Sequence, residues 1–199
     1  MREIENVLLT YRKNKKMIKD FLSKTNNKSD KYVLGELYFC LLTPRSKAVR
    51  CRKIVNEMKS KNLLFNPNKG NIKKLMSKFG YALTNKSEYI IIASKNFNEI
   101  KNNLTREWLE KNVKGLGMKE SSHFLRNVGY KGLGIIDVHV QRFLKKVGLF
   151  DREVGAVTKK QYLELEKKFF DLSKKLKIPS EELDIAIWLY QSGEKEFYG

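Results

Sequence analysis

The sequence predicts an all-α protein, and three observations carry that prediction. Apolar residues recur at three- and four-residue spacing through most of the 199 positions, the period of a helix that buries one face. Cap and stop residues such as Thr105, Thr158, Pro44 and Gly80 punctuate those stretches. Only one short run has the character of a strand, and it has no second strand to pair with.

Taken in order, Ile4, Val7, Leu8, Tyr11, Ile18, Phe21 and Leu22 mark a first helix. Leu34, Leu37, Tyr38, Leu41 and Leu42 mark a second, which stops before Pro44 because proline cannot continue a helix. Ala48, Cys51, Val55 and Met58 make a third. Ile72, Leu75, Met76 and Phe79 make a fourth, closed by Gly80 as a left-handed stop. Tyr89-Ile90-Ile91-Ile92-Ala93 reads equally well as a short buried strand, and it is assigned to helix because no partner strand exists. Thr105 caps a segment bearing Trp108 and Leu109, with Trp108 read as core. After a turn at residues 115–117, Phe124, Leu125 and Val128 define the next helix. Tyr162, Leu165, Phe169, Leu172 and Leu176 form a long amphipathic helix capped by Thr158. Ser180 is expected to cap the last helix, which presents Leu183, Ile187 and Trp188.

No repeat of solenoid period and no low-complexity linker interrupts the chain. The expected architecture is two helical lobes with a cleft between them. Residues 30–133 form one lobe, and residues 1–29 pack with residues 134–199 as the other.

Lys and Arg number 41 against 22 Asp and Glu, a formal net charge of +19. Such a surplus repels itself unless an anionic partner is present, and nucleic acid is the partner it predicts. The basic residues are spread along the whole chain rather than gathered on one amphipathic helix, which disfavours a membrane-surface role. No apolar run reaches the roughly 18 residues of a membrane span. Glu3 and Glu5 interrupt the N-terminal apolar residues, so a secretory signal is not expected and the protein is read as intracellular, in the cytoplasm or nucleoid. Cys40 and Cys51 have no Cys or His neighbours at ligand spacing, so they predict neither a zinc site nor an iron–sulfur cluster and are read as core.

The informative stretch is Val113-Lys114-Gly115-Leu116-Gly117-Met118-Lys119-Glu120, followed by Ile135-Ile136-Asp137-Val138-His139. Two glycines separated by one residue permit a tight hairpin whose N–H groups point outward, with no Cβ to obstruct a phosphate. The helix that starts there adds its positive dipole end. Ordinary helix–helix turns share the Gly-x-Gly pattern. Its meaning here comes from the basic chain around it, the lysine at the helix start and the downstream carboxylate in an apolar setting.

Those residues resemble the helix-hairpin-helix DNA glycosylase superfamily, and within it the archaeal-type 8-oxoguanine DNA glycosylases. The resemblance is strongest over residues 113–143, where Gly-Leu-Gly-Met-Lys-Glu-Ser-Ser-His-Phe-Leu-Arg-Asn-Val-Gly and Ile-Ile-Asp-Val-His look like the family signature. It implies a bifunctional glycosylase and AP lyase of base-excision repair, acting as a monomer on double-stranded DNA that contains a damaged base. Lys119 would attack C1′ of the damaged nucleotide, and Schiff-base formation would then allow elimination of the 3′ phosphate. A lysine attacks only when neutral, and a desolvated cleft and its own helix N-terminus both disfavour the ammonium. Asp137 matches the motif aspartate that stabilises positive charge on the sugar, and its apolar neighbours suggest burial. Taken singly, Lys119 reads as a solvated lysine and Asp137 as the N-cap of a helix over residues 138–147.

Further roles follow from the same resemblance. The N–H groups of Gly115 and Gly117 would hold a DNA phosphate. The carbonyls of Lys111, Val113 and Leu116 lie where relatives hold a structural monovalent or divalent cation, and catalysis itself would need no cofactor. His139 either contacts phosphate or packs. His123, one turn after Lys119, either reaches the base or a phosphate or packs. Trp188 is the stacking candidate for a flipped base, with Met76 or Phe79 as the opposite wall; its alternative is core. The family commonly ends in a lysine shortly after that tryptophan, with a terminal carboxylate that helps recognise the oxidised guanine. This chain ends Gly193-Glu194-Lys195-Glu196-Phe197-Tyr198-Gly199, so either residues follow the family's usual end or base recognition differs. Two alternatives stay open at this point: a glycosylase for another oxidised base with the same Lys119 and Asp137, and a non-catalytic hairpin that grips DNA.

Overall fold

The computed structural model describes residues 2–26, 29–82, 85–193 and 197. Its regular elements are α1 (Arg2–Lys24), α2 (Asp30–Leu42), α3 (Ala48–Ser60), α4 (Lys69–Lys78), α5 (Lys86–Lys95), α6 (Phe97–Asn102), α7 (Arg106–Asn112), α8 (Met118–Asn127), α9 (Val138–Lys146), α10 (Lys159–Leu176) and α11 (Ser180–Ser192). Among the described residues the regular structure is all helical. The chain divides into two compact units, one of Asn27–Val128 and one that joins Met1–Asn26 to Gly129–Phe197.

The unit of α2 to α8 is organised around α2. Residues 33–42 of α2 are all buried, as befits a helix apolar around its whole circumference, and α3, α5 and α8 pack against it. Glu36 is the polar exception at 3% exposed. It survives there because Arg52 pairs with both of its oxygens, at 2.5 and 2.9 Å, and Asn127 Nδ2 donates to Oε2 at 2.8 Å. A buried carboxylate is tolerated only when satisfied in this way. The Arg52 guanidinium also lies 3.9 Å from the Phe39 ring centroid, so one cluster ties α2, α3 and the end of α8 together.

The ambiguous run at residues 89–93 is helical, within α5, with Ile90 and Ala93 turned to the core. Gly80 closes α4 at φ +64. The six-residue α6 was not anticipated: it buries only Phe97 and Ile100, too little to leave a periodic signal. Trp108 corrects its assignment to the core, because on the short α7 it is Leu109 that is buried and Trp108 keeps part of its surface accessible. Cys40 and Cys51 are buried and free, and burial pushes both thiols up from the ordinary range.

In the other unit α1, α9 and α10 all pack against α11. Val7, Tyr11 and Ile18 form the buried face of α1. Tyr11 donates to Glu182 Oε2 at 2.6 Å, and Asn6 donates to the Tyr190 hydroxyl at 3.1 Å. Thr158 caps α10 through a capping box with Gln161, as its position predicts. Ser180, by contrast, is the first helical residue of α11 and not its cap. Pro179, at φ −52 and ψ 139, holds the cap position, and its carbonyl accepts from Glu182 N and Leu183 N. Residues 129–133 sit with this unit, where Gly132 N donates to Glu181 Oε1 at 2.8 Å. Among the described residues no helix is long and apolar enough to cross a membrane.

Candidate functional site

The hairpin between α7 and α8 is built by residue types suited to it. Thr105 caps α7 by accepting from Trp108 N. Val113 leaves the helix in extended conformation, and its carbonyl accepts from Leu116 N at 3.0 Å to close the turn. Gly115 then adopts φ +99, where a side chain is strained, and a Cβ there would lie 2.6 Å from Tyr89 Cδ2 and 3.1 Å from Leu41 Cδ2. Gly117 is the N-cap of α8 and has no side chain to bond the first-turn amides. Those N–H groups have no intrahelical partner, so the start of α8 presents donors and a positive dipole end to whatever anion docks there. Gly115→Ala is expected to lower the unfolding free energy by about 1–3 kcal/mol and to weaken binding to a DNA duplex. Urea unfolding and a binding titration check both parts, and an unchanged affinity would remove the hairpin from the interface.

Lys119 is the second residue of α8, with a side chain 23% exposed. Its Nζ lies 3.8 Å from Glu120 Oε1, an ion pair within the first turn of α8. His123 follows one turn later, 7% exposed and edge-on to Phe39 at 5.7 Å. A second lysine that sequence reasoning missed is Lys86, 7% exposed at the start of α5. Its Nζ donates to Leu42 O at 3.2 Å and Pro44 O at 2.6 Å, and burial pushes it down to about 8. It helps satisfy the carbonyls where α2 ends, beside the Tyr81 hydroxyl that also donates to Leu42 O at 2.6 Å, and nothing in its residue type or spacing announces that role.

Asp137 belongs to the other unit. It is the N-cap of α9: Oδ1 accepts from His139 N and Val140 N, each at 2.9 Å. The capping alternative drawn from sequence therefore holds, and it leaves Oδ2 with no hydrogen-bond donor among the described residues. The carboxylate is half-buried, less enclosed than its apolar neighbours suggested, since Ile135 and Ile136 take the interior while Asp137 starts the helix. His139 and Trp188 meet at 6.2 Å between ring centroids, both half-buried. Phe197, which sequence reasoning did not single out, stands edge-on to Trp188 at 5.2 Å and to Phe21 at 4.8 Å.

Residues 14–178 match the model of a family described as 8-oxoguanine DNA glycosylase. The chain belongs to that family. It is 33% identical to the 8-oxoguanine DNA glycosylase/AP lyase of Fusobacterium nucleatum, over 90% of this chain and 88% of the relative. It is 34% identical to the enzyme of that name from Methanocaldococcus jannaschii, over 90% and 89%. The fold is similar to the crystal structure of the Methanocaldococcus jannaschii 8-oxoguanine glycosylase/lyase in complex with a 15mer DNA containing 8-oxoguanine, with a TM-score of 0.86, 28% identity and coverage of 98% and 99%. It is also similar to the 8-oxoguanine DNA glycosylase of Thermotoga maritima, with a TM-score of 0.86, 25% identity and coverage of 97% of each chain.

In this member of the 8-oxoguanine DNA glycosylase family the sequence-derived residues divide between the units. Lys119, Gly115, Gly117 and His123 lie along the hairpin and α8, with Met76 and Phe79 at the end of α4. Met76 is fully enclosed in its core, so of the two expected stacking walls only Phe79 keeps an accessible surface. Asp137, His139 and Trp188 lie on α9 and α11. The carbonyls of Lys111, Val113 and Leu116 are hard, neutral oxygen donors of the kind an alkali or alkaline-earth cation takes. The Val113 oxygen, which already accepts one hydrogen bond, keeps a second lone pair. The donor set fits such a cation. Of the C-terminal departure from the family pattern, residues 194–196, 198 and 199 lie outside the described residues.

Proposed function

We propose that this chain excises 8-oxoguanine from double-stranded DNA and cleaves the strand 3′ to the site, with Lys119 as nucleophile and Asp137 as the assisting carboxylate. The observation that carries this reading is Lys119 itself: a partly enclosed lysine in the first turn of a helix whose glycine N-cap leaves the amides open. The family relationship supports it, since relatives across most of the chain are named for both activities.

In the reaction Lys119 Nζ, having given up a proton, forms a bond to C1′ as the C1′–N9 bond breaks, and the base leaves with that electron pair. Opening of the sugar ring at O4′ gives the Schiff base. Loss of a proton from C2′ then expels the 3′ phosphate, and water hydrolyses the imine to restore the lysine. Asp137 opposes the positive charge that builds on the sugar as the base departs. The phosphate docks on the N–H groups of Gly115 and Gly117, with His139 a further contact. A structural cation held by the Lys111, Val113 and Leu116 carbonyls would add positive charge at that phosphate and take no part in bond breaking. Catalysis requires no other cofactor. We place the enzyme as a monomer acting on DNA in the cytoplasm and nucleoid, with Trp188 against one face of the extruded base.

A panel of duplexes carrying 8-oxoguanine, an oxidised pyrimidine or an undamaged guanine tests this reading. Strand cleavage and a borohydride-trapped adduct are expected with 8-oxoguanine at rates at least about tenfold above the others, a difference of about 1.4 kcal/mol in barrier height. Preference for the oxidised pyrimidine would move the substrate, and no adduct with any duplex would end the proposal.

A further inference from the structure

Residues 133–137 enter the interior of their unit as irregular backbone. Gly134, Ile135 and Ile136 are buried, and among the described residues no strand lies beside them. Buried backbone N–H and C=O groups must find partners. Here α10 supplies them from two side chains one helical turn apart. The Tyr162 hydroxyl donates to Gly134 O at 2.6 Å and accepts from Ile136 N at 3.2 Å. Glu166 Oε1 accepts from Gly134 N at 2.8 Å. A single hydroxyl thus serves the carbonyl and the amide that a neighbouring strand would otherwise serve.

The contact is close because position 134 is glycine, where a Cβ would lie 2.9 Å from Glu166 Cγ. Gln141 of α9 secures the other side, donating to Ile136 O at 3.4 Å and to Gly155 O at 3.0 Å while accepting from Gly155 N at 2.9 Å. The next residue in the chain is Asp137, whose own N–H donates to Ile135 O at 2.9 Å.

We propose that Tyr162 and Glu166 are positioning residues for Asp137. They fix the backbone on which its carboxylate is mounted, and so fix where the carboxylate stands. This rests on the reading of Asp137 as the assisting carboxylate. The capping bonds from Asp137 to His139 N and Val140 N are local to α9, so they survive a shift of the preceding segment. What α10 adds is the location of that capped helix start.

The test is a cycle built on Tyr162→Phe, which keeps the ring and removes both hydroxyl bonds, and Asp137→Asn. Single-turnover base excision with an 8-oxoguanine duplex is measured beside the dissociation constant, below the unfolding temperature. Tyr162→Phe is expected to slow excision by about ten- to a hundredfold, the usual cost of misplacing a reacting group by up to about 1 Å, with duplex affinity within about twofold. In the Asp137→Asn background it should cause no further slowing, because the group it positions is already lost. Glu166→Gln, which keeps an acceptor for Gly134 N, should retain most of the rate, and Glu166→Ala should not. The Glu166 pair carries the same test if Tyr162→Phe does not fold. An unchanged rate in Tyr162→Phe, or slowing that multiplies undiminished in the Asp137→Asn background, would overturn the proposal. A full-speed Asp137→Asn enzyme would overturn the reading of Asp137 first, and this inference with it.

Discussion

Lys119→Gln protein, incubated with an 8-oxoguanine duplex and borohydride, is expected to form no covalent adduct, while wild-type protein forms one. Glutamine has nearly the reach of lysine but no amine that can become an imine, so the substitution removes the covalent route and little else. Excision and strand cleavage should fall at least about a thousandfold, or about 4 kcal/mol in transition-state stabilisation. Binding should persist, because one charge is lost from a protein of net charge +19 and the hairpin amides are untouched. Lys86 does not substitute for the missing amine: it is buried in the same unit and bound to the Leu42 and Pro44 carbonyls. An adduct that survives Lys119→Gln would assign the nucleophile elsewhere and refute the mechanism.

Asp137→Asn is expected to separate folding from chemistry. Asparagine caps helices about as well as aspartate, and its side-chain oxygen can accept from His139 N and Val140 N as Asp137 Oδ1 does. The unfolding temperature and the affinity for the lesion duplex should therefore stay close to wild type. The carboxylate charge, however, is gone. Loss of a preorganised group that stabilises transition-state charge costs about a hundred- to a thousandfold in rate, and that is the expected slowing of excision under single-turnover conditions. Asp137→Ala should lose the cap as well, with a further cost to stability of about 1 kcal/mol. An Asp137→Asn enzyme that excises at full speed would leave the residue as a helix cap alone.

The parts of this molecule legible in the sequence are those fixed by neighbours along the chain. Thr105 and Thr158 announce their helices because a cap bonds amides two or three residues ahead. The turn at residues 115–117 announces itself because Gly115 stands at φ +99 with no room for a Cβ beside Tyr89. Ser180 misled for a related reason: a good capping residue followed a proline that had already taken the cap position. The placement of Lys119 and Asp137 at helix starts could be read from local spacing, whereas the groups that hold them could not. Glu36 is buried because Arg52 and Asn127 come to it from distant stretches of sequence. Tyr162 sat within an amphipathic pattern that explains its ring but says nothing of its hydroxyl, and Glu166 shows no sign in sequence that it is buried against a glycine amide. Trp188 was visible as a residue, while its neighbour Phe197 was not, since a ring contact between a helix and a tail has no periodic signature.

The pairing of α1 with α11 sets a timetable for the chain as it leaves the ribosome. α1 ends at Lys24 and its main packing partner starts at Ser180, so the apolar face of Val7, Tyr11 and Ile18 emerges long before α11 can cover it. At roughly 5–20 residues per second that interval is on the order of ten to thirty seconds. The helices α2 to α8 are all synthesised within it, so the helices of the lysine-bearing unit are complete while α1 still waits for α11. Among the described helices α11 is made after all the others, so the helix that covers α1 arrives latest of them, and it brings Trp188 with it.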